Sequence, residues 1–511
     1  MRHRCARCGR PHWAGATVSI RAVAVLDPPL DRIPTSAVLI GGEHLPPAAG
    51  DIHRHHYAAT GRPTVDVVLG GAAEMSAAAA AARSALPRWW ATPPAGRRDA
   101  LLRLADLIAG DAETLTGLQV LEIGLPRQFA AATPQVAAEF LRYNAGWVDK
   151  LGGEVAAGAT SHGWSHTLDE PYGVVAALLP YNGAVAMLGQ VLGPVLAAGN
   201  AVVVKPSELA PFTAVRIGEL CQQAGLPTGL VNVVTSDAAG GEALVRTPGV
   251  DKVHLTGGVS TARRILAATA DRLTPASLEL GGSSAHLIFA DADLRAAARQ
   301  ALAGAVILNG QACARGSRIL VEDAVYDRVL DLVLARLSQL VVGDPQRPGT
   351  VLGPLVSRAA ADRIVGVVDR ARRDPAAGTL VAGGERPDGD LAGGFFVTPT
   401  VFSGVEPTAE LAQEEVLGPV LAFSRFSAED EAVTLANGTR YGLAAYLHTT
   451  DLRRAHRLVR ALDAGAVWVN GFPGLSPATP FGGTGHSGYG RLGGRAGVEE
   501  FRRPKTVWFG R

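Results

Sequence analysis

The sequence predicts an α/β protein built on two doubly wound sheets, and three observations carry that prediction. The chain has 511 residues, roughly three to four times the length of a usual domain. From Tyr172 onward, short apolar runs alternate with amphipathic stretches of helical period. A second alternating series starts near Ser277, after the first has supplied enough strands for a sheet of its own.

Taken in order, residues 1–35 mix Arg, His and Pro with two cysteines and show no hydrophobic period, so they read as a mobile appendage. Cys5-Ala-Arg-Cys8 with His3 and His12 also has the spacing of half a zinc site. A structural site needs four ligands and no second pair exists, so no metal is expected. Ser76–Trp90 and Ala95–Glu122 carry Ala and Leu at helical spacing. Thr133–Lys150 is a third helix, with Thr133 as N-cap and Pro134 at its first position. Leu151-Gly-Gly-Glu154 breaks that helix, and Gly163–Asp169 alternates as strands do. Gly173–Leu179 is a continuous apolar run, the pattern of a strand buried on both faces. Helix Val185–Ala198 follows, closed by Gly199, then strand Ala201–Val204 and helix Thr213–Ala224 with Gly225 after it. Val231–Thr235 and Lys252–Leu255 are further strands. The second series holds helix Leu294–Leu308, strand Arg318–Val321 and helix Ala324–Leu340.

Composition narrows the function. The 48 basic and 47 acidic side chains leave a net charge of +1, which excludes nucleic acid or an anionic membrane as the main partner. No apolar run reaches the ~18 residues that a membrane span needs. Arg21 and Pro28 interrupt the apolar stretch near the N-terminus, so no signal peptide is expected. Four cysteines in a chain this long make no disulfide framework, and a cytoplasmic setting follows. Only four of the 48 basic residues are lysine (Lys150, Lys205, Lys252 and Lys505), so each invites a question.

Chemistry in a parallel sheet belongs at the carboxyl ends of its strands. Lys205-Pro-Ser-Glu208 ends one strand, offering a cation and a carboxylate suited to ribose hydroxyls. Thr256-Gly257-Gly258 ends another just before a helix, where bare backbone and a helix N-terminus suit a pyrophosphate. Each also reads as a turn or a cap, and the GxGxxG fingerprint is absent. Cys313 lies between Gly310 and Gly316, either an inert core thiol or a nucleophile that substrate can approach. Glu279 sits in an apolar strand end, either solvated at an edge or buried with the raised pKa of a general base. Asn182 follows a strand, either as a plain Asn-Gly turn or as an amide donor to an oxyanion.

Together the motifs resemble the aldehyde dehydrogenase superfamily from about Ser36 to Phe509. The family's order is present: Pro180-Tyr-Asn182, Asn200 leading to Lys205-Pro-Ser-Glu208, Thr256-Gly-Gly258, Glu279-Leu-Gly-Gly282 and Gly310-Gln-Ala-Cys313. Gly343-Asp-Pro345, Gly353-Pro-Leu355, Glu415-Val-Leu-Gly-Pro419, Tyr441-Gly-Leu-Ala444, Trp468-Val-Asn470, Pro480-Phe-Gly-Gly483 and Ser487-Gly-Tyr-Gly-Arg491 follow. The 34 residues from Glu279 to Cys313 match the family's interval.

The resemblance implies a dinucleotide-binding domain from 36–150 and 171–281, and a catalytic domain from 282–480. It also implies a β-hairpin oligomerisation segment from 151–170 and 481–511, hence a homodimer or homotetramer. It implies oxidation of an aldehyde to its acid with NAD, NADP being the alternative. Cys313 would be the nucleophile, Glu279 the base that activates water and Asn182 an oxyanion donor. Lys205, Glu208, Thr256, Gly257 and Gly258 would hold the adenosine and pyrophosphate end. Tyr181, Leu280, Glu415 and Leu417 would hold the nicotinamide end. Ser283 replaces a common Lys, Arg315 a common Ala, Leu417 a frequent Phe and Leu492 a relay Glu. The charge of Arg315 is expected to disturb packing or lower the thiol pKa. Gly183, Ala184 and Gln190 stand where larger residues are common, which predicts a wide substrate tunnel. Two other readings stay open: a CoA-acylating semialdehyde dehydrogenase, which usually lacks the glutamate, and a non-catalytic binding or structural protein on the same fold.

Overall fold

Continuous apolar runs leave no solvated face, so they end up in the middle of sheets. Val174–Leu178, Ala201–Lys205 and Val231–Val234 are buried at every position. The computed structural model describes residues 21–28, 30, 33–34, 36–46, 51–156, 163–472 and 474–510; the Cys5/Cys8 pair lies outside the described residues. Among these, the first large sheet has eight strands. Their order is Gly488–Tyr489, Ala276–Leu280, Lys252–Gly257, Val174–Leu178, Ala201–Lys205, Val231–Val234, Val38–Ile40 and Glu43–His44. The five strands from Ala276–Leu280 to Val231–Val234 run parallel. Register then places Leu178 beside Lys205 and Gly257 beside Leu280. Four of the predicted motifs therefore leave the sheet at one edge.

The second sheet has seven strands in the order Thr379–Ala382, Thr400–Ser403, Val420–Phe426, Gly316–Glu322, Ser284–Ile288, Ala444–His448 and Ala466–Val469. All its neighbours are parallel except the first pair. Gly163–Pro171 pairs antiparallel with Arg502–Gly510 on one side and Val155–Ala156 on the other, giving a separate three-stranded sheet. No helix among the described residues is long and apolar enough to cross a membrane.

Several element expectations are corrected. Ala95–Glu122 is two helices, Pro94–Gly110 and Ala112–Ile123, which part at Asp111, a residue tied by two hydrogen bonds to Arg216. The third helix is Thr133–Ala145 and stops at Gly146. Thr133 is not its N-cap: that place falls to Ala132, and the Thr133 hydroxyl donates to Ala130 O and exchanges with the buried Gln119 amide. The helix expected to reach Leu308 ends at Val306, because Leu308 and Asn309 turn left-handed at φ +48° and +57°. The helix expected over 324–340 is Tyr326–Leu337. Within the stretch read as a mobile appendage, Arg21–Val23 pairs in parallel with Val341–Gly343, and the Leu26 N–H bonds the buried Asp344 carboxylate.

Candidate active site

The loop that carries Cys313 is held before the cysteine is reached. Leu308, Asn309 and Gly310 are successive left-handed residues, the last at φ +74°. Glycine is required there twice over, since a Cβ at position 310 would lie 2.5 Å from the Gly418 carbon and the Pro419 nitrogen. The Asn309 amide donates to Gly124 O and Pro354 O, both at 2.9 Å, and accepts from Gly353 N at 2.8 Å. The Gln311 side-chain oxygen accepts from the Tyr181 hydroxyl at 3.3 Å and Val356 N at 3.2 Å. Its backbone oxygen accepts from the Asn182 amide at 2.5 Å. Asn182, 8% exposed, is thus tied two residues before Cys313 and retains a second amide hydrogen.

Cys313 is half-buried. Burial, then Glu415 and then Glu279 push its thiol up to about 12, against the pull of the Ala314 and Cys313 N–H groups. Arg315 is not among the leading influences on the thiol, whose pKa is raised. Its guanidinium points away, donating to Gly304 O at 3.3 Å and Val420 O at 3.1 Å, and it acts on Glu415. The expectation that Arg315 lowers the thiol pKa is therefore corrected.

Glu279 is 5% exposed and neither carboxylate oxygen has a hydrogen-bond partner among the described residues. Burial raises its pKa well above the usual carboxylate range; Arg491 opposes this and Glu500 adds to it. The strand Gly488–Tyr489 pairs alongside, with Glu279 opposite Gly488. A Cβ on Gly482 would lie 2.7 Å from Glu279 Oε1 and 2.9 Å from Arg491 Cδ. Leu492 is in the core, exchanging backbone hydrogen bonds with Phe481, so Arg491 is the charge that flanks Glu279 from this segment. Sequence reasoning missed Arg491 and Gln311, although both lie inside motifs that it named.

Lys205 is 8% exposed, its pKa lowered by burial and supported by Glu208 and Asp237. Glu208 is half-exposed beside the Ser207 hydroxyl. Thr256 and Gly257 end their strand, and Gly258 is the N-cap of helix Val259–Ala270 with no side-chain cap. A Cβ on Gly258 would meet nothing within 4 Å, so there is open space beside this helix start, the room that a pyrophosphate would need. Arg264 turns to Glu242 at 3.3 Å and both Arg263 and Arg264 are exposed. Burial raises the pKa of Glu415, whose carboxylate packs on Gly281 and accepts from Gly282 N at 3.3 Å, and Arg315 and Arg363 counter that rise. Leu417 holds φ +49°, clamped by Arg363, which donates to Val416 O and Leu417 O. Leu280 is buried and bonds Ser487 O at 3.0 Å. On the Asn182 side, a Cβ at Gly183 would meet only Leu308 Cδ1 at 3.7 Å, while Ala184 and Gln190 are buried.

The sequence matches the aldehyde dehydrogenase family over residues 47–507. Betaine aldehyde dehydrogenase of Rhizobium etli is 36% identical over 484 residues, covering 93% of this chain and 98% of that protein. The NADP/NAD-dependent aldehyde dehydrogenase PuuC of Escherichia coli is 36% identical, covering 92% of this chain and 95% of its own. The crystal structure of Staphylococcus aureus betaine aldehyde dehydrogenase in complex with NAD+ superposes with a TM-score of 0.91 at 32% identity, over 94% of this chain and 96% of that one. With nearly the whole chain matched in sequence and in fold, this protein belongs to the aldehyde dehydrogenase family and is an oxidoreductase of NAD-dependent aldehyde oxidation.

Proposed function

We propose that Cys313, Glu279 and Asn182 together oxidise an aldehyde to its carboxylic acid. The observation that carries the reading is their convergence: the thiol lies in the electrostatic reach of Glu279, and Asn182 is tied to the same loop. The Cys313 thiolate adds to the aldehyde carbon. The Asn182 amide and the Cys313 backbone N–H receive the oxyanion of the thiohemiacetal. Lys205, Glu208, Thr256, Gly257 and Gly258 would hold the adenosine and pyrophosphate end of NAD, and Tyr181, Leu280, Glu415 and Leu417 the other. When bound, the cofactor supplies a hydride acceptor. Glu279 then takes a proton from the water that attacks the Cys313 thioester, releasing the acid and restoring the thiol.

Retention of Glu279 counts against release to CoA. An aldehyde panel that includes betaine aldehyde, run with NAD+ and with or without CoA, tests the reading by NADH formation. Hydrolytic turnover without CoA is expected. Cys313→Ala should abolish it while NAD binding stays near wild type, and substantial turnover in that variant would overturn the assignment. We further propose a homo-oligomer and a cytoplasmic, reducing setting. Exposed Trp164, Leu168, Trp508 and Phe509 on the three-stranded sheet support the first, and the unpaired thiols of Cys221 and Cys313 suit the second.

A further inference from the structure

The second peptide after the proposed nucleophile, Ala314–Arg315, is anchored by a side chain that the reaction scheme does not use. The Tyr446 hydroxyl donates to Ala314 O at 2.7 Å. Tyr446 is 5% exposed and sits on strand Ala444–His448, directly opposite His286 on one neighbouring strand and Trp468 on the other. Its ring stacks on His286 at 4.2 Å and 2°, and lies 5.0 Å from Trp468. His286 is held in turn by His448, ring nitrogen to ring nitrogen at 3.2 Å. Burial lowers the pKa of both histidines, so the pair is neutral and one ring donates to the other. Gly316, three residues past Cys313, makes room for the ladder: a Cβ there would fall 1.9 Å from His286 Cδ2 and 3.0 Å from Tyr446 Cδ2.

We infer that Tyr446 is a positioning residue for Cys313, its hydroxyl fixing the Ala314 carbonyl so that the Cys313 and Ala314 N–H groups stay aimed at the sulfur. The ring is held between His286 and Trp468, which fixes the place of its hydroxyl oxygen. Burial, with the nearby thiol, raises the phenol pKa, so Tyr446 keeps its proton and remains a donor. Without that donor the Ala314 carbonyl loses its partner and the loop relaxes. The sulfur and its N–H donors then lose alignment, a misplacement that costs rate rather than substrate binding.

The inference rests on Cys313 being the nucleophile, and the test separates the two. In the full-length protein, Tyr446→Phe keeps the stacked ring and removes only the hydroxyl. The NADH burst should slow about tenfold or more, with the aldehyde KM within about twofold. Iodoacetamide alkylation, mapped by mass spectrometry to the Cys313 peptide, should slow and its midpoint move to higher pH. Trp468→Leu removes one flank of the ring but keeps the hydroxyl and the His286 stack, so its alkylation profile should lie closer to wild type than to Tyr446→Phe. A Tyr446→Phe protein with burst and alkylation within twofold of wild type overturns the inference. So does a Trp468→Leu protein displaced as far as Tyr446→Phe. Either result leaves Cys313 as nucleophile untouched, because only turnover by Cys313→Ala bears on that.

Discussion

A carboxyl group buried without any hydrogen-bond partner is destabilising, and among the described residues Glu279 has none. Its raised pKa means the folded protein keeps the proton at pH values where the unfolded chain has released it. The native state then binds more protons than the unfolded state, so this residue's contribution to stability falls as pH rises through that interval. Glu279→Gln should therefore be more stable than wild type near pH 8 by about 1 kcal/mol or more, each pH unit of the interval being worth about 1.4 kcal/mol. The difference should close near pH 4, and thermal unfolding at the two pH values measures it. The same substitution cannot accept a proton from water, so a rapid NADH burst should precede a slow steady state. If burst and steady state fall together, Glu279 does not act mainly in thioester hydrolysis. Motif spacing made Glu279 and Cys313 legible as residues. Their protonation was not, because it depends on burial and on Glu415, Arg491 and Glu500, which lie far away in the chain.

At the scale of elements, the turn of Leu308, Asn309 and Gly310 decides where the thiol points. Gly310→Ala would put a methyl group against the Gly418–Pro419 peptide at an unfavourable φ, costing about 1–3 kcal/mol. The expected result is a lower unfolding temperature and slower alkylation of Cys313; an unchanged alkylation rate would show that the loop tolerates the shift. Helical periodicity had carried the helix to Leu308, the first residue of this turn, because the hydrophobic pattern is insensitive to a reversal set by Asn309 bonding across to Gly124 and Pro354. The strand end at Lys205 and the helix start at Gly258 bear on cofactor choice. Bound NAD would offer Glu208 free ribose hydroxyls to accept from, whereas a 2′-phosphate would be repelled, and Arg264 is engaged by Glu242. NAD+ should exceed NADP+ at least about tenfold in kcat/KM, equivalent to about 1.4 kcal/mol, in steady-state kinetics at one saturating aldehyde. Equal efficiencies would mean that the arginines, not Glu208, set the local field.

For the whole molecule, the three-stranded sheet presents stacked Trp164 and Phe509, ring centroids 4.9 Å apart, on a surface that also exposes Trp508 and Leu168. Trp508→Glu with Phe509→Glu should shift the protein toward monomer in sedimentation velocity, because each added charge would have to be desolvated in a subunit contact. An unchanged oligomer would place the contact elsewhere. Two alternating series of strands and helices were enough to predict two sheets, since a periodicity of side chains is a local property of the chain. The order of motifs was enough to identify the family. Tertiary structure alone decided that Arg315 turns from the thiol, that Thr133 caps no helix, and that residues 21–23 join the sequence at 341–343. It also decided that Tyr446 reaches the Ala314 carbonyl. Each of these outcomes depends on which carbonyl, amide or charge lies nearest in space, and contacts such as Arg315 with Val420 and Tyr446 with Ala314, 105 and 132 positions apart, leave no periodic trace in the sequence.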